Sequence, residues 1–296
     1  MKQIGANVLE AENWLDLHNE LFDFPPHPDH GRYRSNFAYR GLDRAKYNLV
    51  TSLMRIENSK MEPHLMRNFQ KYARSVLKDS NNKWELLAVA QHYGLPTRLL
   101  DWSFSPYVAL HFATSDITAY NEPGAVWCLD ILKVNKQLPQ EFKKQLDDNS
   151  SYVFTVDLLQ NACEKFEDFD SKKGDGDDFV ICLEPPSLDE RIVNQYAMFT
   201  VMTNRDRSLD DWLKGHPDLY KKIIIPAELK LEVRDKLDQA NINERMIYPG
   251  LQGISAWLKR HCTDSSLMRP SELIKSQKPG NTQREYDLES LEMEII

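Results

Sequence analysis

Between positions 91 and 114 the chain reads QHYGLPTRLLDWSFSPYVALHFAT, which brings His92, Arg98, Asp101, Trp102, Ser103, Ser105 and His111 into one short span. With Arg40, set in the apolar run FAYRGL, these are the side chains whose types can do chemistry. An arginine fork matches two phosphate oxygens at once, so a lone arginine in an apolar strand needs an anionic partner, either a ligand in a cleft or an internal carboxylate. Asp101 is the internal candidate. Arg98 and Asp101 cannot both sit inside without partners, so they read equally as a salt bridge that holds a turn or as a pair that orients a ligand. His92 is a candidate general base by residue type, although a histidine at a helix end also serves as a cap. His111, at helical spacing from Tyr107 and Val108, reads as a packed core histidine. Trp102 offers a face for a heterocyclic ring, or serves as a hub of the core.

Several chemistries are set aside by what the chain lacks. There is no glycine-rich phosphate loop, no GxSxG elbow and no cysteine–histidine pair at a readable spacing. Cys128, Cys163, Cys182 and Cys262 are scattered and form no CxxC, which argues against a zinc site or a disulfide framework. His27 and His30 have no third ligand in view, and the acidic run from Glu167 to Asp178 places Lys172 and Lys173 where a calcium loop needs oxygen, so no metal is expected. A net charge of -8 opposes nonspecific attachment to phosphate backbones, though a local basic groove can override it. No window approaches eighteen apolar residues and the start, MKQIGANVLEAENW, lacks the apolar stretch of a signal peptide. A cytoplasmic protein with no membrane partner is expected.

Positioning these residues requires particular elements. Helical spacing predicts one helix over residues 8–22, a loop at DFPPHPDHGRYRS, and a buried strand at FAYRGL. Helices are expected at EPHLMRNFQKYARSVL and at WELLAVAQHYG, the latter stopping near Gly94. LPTRLLDW is too short for a helix, while Ser105 and Pro106 cap and open SPYVALHFAT, so the span reads strand, elbow, helix. Later strands are predicted at AVWCLDIL, FVICLEP, RIVNQYAMFTV and KKIIIP, and helices at VFTVDLLQNACEKF, AELKLEVRDKLDQAN and ISAWLKRHC. The stretch EDFDSKKGDGDD reads as a solvated loop. These patterns predict an α+β fold with a mixed sheet and flanking helices, divided into an N-terminal helix and loop (1–36), a main domain (37–262) and a polar tail (263–296).

YRG at 39–41, AQHYGLPTRLLDWSFSPYVALHFA at 90–113, AVWCLDI and the late RIVNQYAMF together resemble the FRG domain, named for its aromatic-arginine-glycine motif. Tyr39 stands for the usual phenylalanine, and Tyr196-Ala197 follows Gln195 where the family more often has a glycine. The family is common in bacteria and their mobile elements. The order of these segments is also distantly similar to ADP-ribosyltransferases of the arginine-serine-glutamate type, which hold NAD in a cleft of a split mixed sheet. That similarity implies NAD as substrate, with the Tyr39-Arg40-Gly41 strand supplying Arg40 for phosphate. Ser103 or Ser105 would take the ribose, and Glu190 or Glu184 would be the acid. Asp101 and His92 stand as further catalytic candidates, and Arg98, Trp102 and Gln195 as binding ones. The strand expected to carry the acid offers Gln195 instead, which can hydrogen-bond a hydroxyl but supplies no charge. The implied roles are an NAD-using transferase or hydrolase serving as a toxin or phage-defence effector, with a protein or nucleic-acid acceptor and an antitoxin or regulatory partner. The alternative is a module that binds a nucleotide or protein in the same cleft without chemistry.

Overall fold

The β-branched and aromatic runs that predict strands form a single sheet. The computed structural model describes residues 1–26, 31–56, 58–77 and 80–263; His27, His30 and the tail beyond Thr263 lie outside the described residues. Among the described residues nine strands occur: β1 Lys2–Gly5, β2 Val8–Glu10, β3 Phe37–Leu42, β4 Leu100–Ser103, β5 Gly124–Asp130, β6 Phe154–Thr155, β7 Val180–Glu184, β8 Ala197–Met202 and β9 Tyr220–Ile225. Their order is β1-β2-β9-β5-β3-β4-β8-β7-β6, and only β2 with β9 and β6 with β7 run parallel. The sheet is mixed and flanked by helices, as expected.

The ladder is thinly bonded at one joint. Strand β3 is paired along its whole length with β5, yet it meets β4 at the single register Tyr39↔Ser103. The sheet is therefore two blocks hinged at that pair. On one face a continuous apolar layer, including Ala38 and Leu129 from one block and Trp102 and Met198 from the other, runs beneath the joint. On the opposite face the apolar packing is divided. Tyr39, Val126 and Ile223 of the first block pack with the helices Trp14–Phe22, Pro106–Thr114 and Lys230–Gln239. Ile181, Phe199 and Val201 of the second pack with the helix Lys83–His92 and its neighbours. A gap over β3 and β4 is left between the two.

The helices that border this gap begin where their caps dictate. Asn82 accepts from the backbone of Trp84 and Glu85, and Trp84 anchors the helix through its indole N–H to the Cys163 carbonyl at 2.7 Å. Gly94, just past the end of this helix, has φ +81°. Ser105 accepts from Val108 N, with Pro106 in the first turn, as the strand-elbow-helix reading predicts. Gly41 lets that helix lie on β3: a Cβ there would sit 1.8 Å from the Ala109 carbonyl oxygen.

Four expectations need correction, the first being VFTVDLLQNACEKF, which opens as strand β6 before the Thr155 cap starts a helix at Val156 that ends at Ala162. Residues 8–22 are not one helix: β2 is followed by Asn13, whose side chain accepts from Asp16 N and starts the helix at Trp14. The N-terminal segment thus adds two strands to the main sheet instead of standing apart. RIVNQYAMFTV is not one strand, because Asp189 caps a short helix Glu190–Asn194 before β8 begins at Ala197. The acidic stretch opens with a helical turn, Phe166–Asp170, held by the buried Phe169. In each case a cap or one buried ring outweighs a weak local pattern.

Candidate functional site

A cleft of about 260 Å³ opens over the joint between the two blocks. Its floor is β3, β4 and β8, which contribute Tyr39, Gly41, Asp101, Ser103, Ala197 and Phe199. One wall is the C-terminal end of the Lys83–His92 helix, with Gln91 and His92. Facing it are Val108, Ala109 and Phe112 of the Pro106–Thr114 helix, and Arg191, Ile192 and Gln195 close the remaining side.

Arg40 reaches across the joint. Where the β3–β4 ladder stops, the Asp101 carbonyl loses its strand partner, and the Arg40 guanidinium donates to it at 2.5 Å. The same nitrogen lies 3.9 Å from an Asp101 carboxylate oxygen. The side chain is only 16% exposed, and its Nε is buried without a hydrogen-bond partner among the described residues. Burial pulls the Arg40 pKa down and the Asp101 carboxylate opposes that. The carboxylate itself is 58% exposed, and both of its oxygens accept from Gln91 Nε2, at 2.9 and 3.0 Å. Gln91 is fixed in turn by Thr97, whose hydroxyl donates to its carbonyl at 2.5 Å. A carboxylate is thus held rigidly at the edge of the cleft beside a buried cation.

His92 makes a second pair. Its Nε2 lies 2.8 Å from Asp189 Oδ2, while Asp189 Oδ1 accepts from Ile192 N at 3.1 Å. One aspartate thus caps the Glu190–Asn194 helix and orients the histidine. Arg191 brings a further cation to the cleft and rests over the Tyr248 ring at 5.4 Å. Gln195 lines the cleft with its amide tied to the Ile247 carbonyl at 3.2 Å.

The remaining predicted residues have other partners. Arg98 is 2% exposed and does not pair with Asp101: its Nε donates to both Glu62 oxygens, at 2.9 and 2.8 Å, and its NH1 to Asp170. It holds the Glu62–Tyr72 helix to the core, away from the cleft. Ser105 is the helix cap. Ser103 lines the cleft, but its hydroxyl donates to the Gln195 carbonyl at 2.7 Å and accepts from Ser105 N at 2.9 Å. Trp102 is buried in the core and donates to Thr200 at 3.0 Å, with part of its surface on the cleft. Tyr39 is buried, its hydroxyl 2.6 Å from Ser35 Oγ, and burial pushes its pKa up. His111 is packed against Arg234, whose NH1 is 2.9 Å from Nδ1; burial first and Arg234 second drive its pKa down to about 3. Glu190 is exposed and does not line the cleft, and Glu184 faces a separate groove. Gln91, Asp189 and Arg191 escaped the sequence reading. A capping aspartate ahead of ERIVN was the signal for Asp189; none marked the other two.

The family model of the FRG domain matches residues 35–122. This segment therefore carries an FRG domain. It contributes Tyr39, Arg40, Gly41, Gln91, His92, Asp101 and the Pro106–Thr114 helix, while Arg191, Gln195 and β8 come from beyond it. Searches of curated proteins and of solved structures each found no significant match. Among the described residues no helix is long and apolar enough to cross a membrane.

Proposed function

We propose that the cleft binds an anionic nucleotide, NAD, and that the chain cleaves the bond between nicotinamide and ribose, passing ADP-ribose to an acceptor or to water. The observation that carries this reading is the Arg40–Asp101 arrangement. A nearly buried arginine with an unpartnered Nε stands beside a carboxylate that is exposed and clamped by Gln91. Arg40 and Arg191 supply the cations a pyrophosphate requires. As the C1′–N bond breaks, positive charge develops on the ribose and a fixed carboxylate at Asp101 stabilises it. Asp101 takes this role in preference to Glu190, which does not line the cleft. Nicotinamide leaves as a neutral molecule; the attacking acceptor atom loses its proton to His92, whose orientation Asp189 fixes. A role as a toxin or phage-defence effector is consistent with a chain that consumes NAD and with the bacterial setting of the family.

One observation favours a second reading, nucleotide binding without turnover. The late strand β8 presents Ala197 and Phe199 to the cleft, and neither is an acid. Nicotinamide release from NAD, assayed with the full chain and with Arg40→Ala, Arg40→Lys and Asp101→Asn, separates the two. The enzyme reading expects release by wild type, a loss of about a hundredfold or more in Asp101→Asn, and poor rescue of Arg40→Ala by lysine, which forms no bidentate contact. Calorimetric NAD binding with no release by any variant supports the second reading, and neither binding nor release overturns both.

A further inference from the structure

Phe104 and Tyr196 stand beyond the cleft's edge: their neighbours Ser103 and Gln195 line it, whereas they line a separate groove of about 720 Å³. Tyr196 is poorly explained by folding. It sits just past the C-cap Gln195 with φ +47°, a left-handed position that suits glycine, and yet 57% of it is exposed. Its ring touches Phe104, with centroids 5.3 Å apart, so the pair forms an aromatic shelf on the groove. Tyr152 lines the same groove and is 71% exposed. Leu132, Ser150, Ser151 and Tyr152 also line a neighbouring hollow of about 610 Å³, and groove and hollow, which share this rim, form the two parts of a trough. Arg34 lies in the first part, and Lys136 and Lys143 in the second. These three cations face two carboxylates, Glu184 and Asp147, in a chain whose net charge is -8.

We propose that this trough binds single-stranded nucleic acid, with bases stacked on Tyr196 and Tyr152 and phosphates met by Arg34, Lys136 and Lys143. Exposed rings beside separated cations match a strand whose base faces are free, whereas a duplex keeps those faces covered. Hydroxyls and an amide at Ser35, Asn36 and Ser150 add polar contacts without sequence preference. The proposal does not depend on chemistry in the first cleft, because binding is read directly.

Anisotropy of a labelled oligouridylate of about ten nucleotides, titrated with the full chain at low salt, tests it. The expected result is saturable binding that weakens with salt at a log–log slope near about -2 for three phosphate contacts. Tyr196→Gly should weaken it about ten- to a hundredfold while the melting temperature is unchanged or raised, since glycine relieves the left-handed backbone. Should that variant fail to fold, Tyr152→Ala serves as the second test, with a loss in the same range. Wild type that does not bind overturns the proposal. So do variants that bind as wild type does, or tighter binding of a blunt duplex or an acidic peptide.

Discussion

Arg40 and Arg98 are both arginines amid apolar sequence, and the structure gives them opposite tasks. Arg98 is enclosed, with Glu62 and Asp170 taking its donors, while Arg40 keeps a buried Nε unpartnered at a cleft. Removing Arg98 leaves the buried Glu62 with the longer contact to Arg205, at 3.7 Å, so Arg98→Ala should cost about 3 kcal/mol. Urea unfolding measures this, and a loss below about 1 kcal/mol would mean the pair contributes little. The prediction is confined to stability: calorimetric NAD affinity of whatever Arg98→Ala remains folded should match wild type, because Arg98 does not line the cleft.

At the scale of elements, the site depends on how closely one helix approaches one strand. The Pro106–Thr114 helix lies on Gly41, and a methyl group there would meet the Ala109 carbonyl oxygen at 1.8 Å and the Ala113 nitrogen at 2.7 Å. Both are backbone atoms, so no rotamer change relieves the clash. Gly41→Ala should therefore force the helix off β3 at a cost of about 2 kcal/mol or more. It should also displace Val108, Ala109 and Phe112 together, so ligand affinity falls along with the melting temperature. A variant that melts and binds as wild type does would show that the contact is not tight. The glycine of the Tyr-Arg-Gly motif is thus explained by packing, and its arginine by the cleft.

For the whole molecule, the C-terminal helices are tied to the core by a buried charge network that contributes to the acid limit of stability. Arg234 and Arg260 both hold Glu244, and Arg234 also touches His111 on the Pro106–Thr114 helix. Burial raises the Glu244 pKa, but the hydrogen bond from Arg260 and the charge of Arg234 outweigh it, leaving the carboxyl at about 2 against an ordinary 4.5. His111 falls from 6.5 to about 3 through burial. Both folded values are depressed, so each contribution is complete above the unfolded pKa and is lost as pH falls towards the folded one. The melting temperature should be level between pH 6.5 and about 8, where burial places Lys230, decline below 6.5 as the unfolded chain takes up a proton at His111, and drop further below 4.5 as Glu244 joins. His111→Gln should flatten the decline between pH 6.5 and 4.5 relative to wild type. Thermal melts across pH check this, and an unaltered profile would remove His111 from the account.

What the sequence determined by itself is local. The turn after WELLAVAQHYG, the Ser105 cap with Pro106 behind it, and the runs at FAYRGL, AVWCLDI, FVICLEP and KKIIIP were legible because caps, glycine positions and periodicity act within a few residues. The same reach explains why Arg40 and Asp101 could be singled out as chemically demanding. Which charge answers which was decided only by the tertiary structure: Arg98 meets Glu62 and Asp170 instead of the nearby Asp101, and His92 meets Asp189. The strand order places β4 between β3 and β8, and the single Tyr39↔Ser103 pairing opens the joint that forms the cleft. Such pairings join segments far apart in the chain, and their free energies depend on burial and distance that no local pattern encodes.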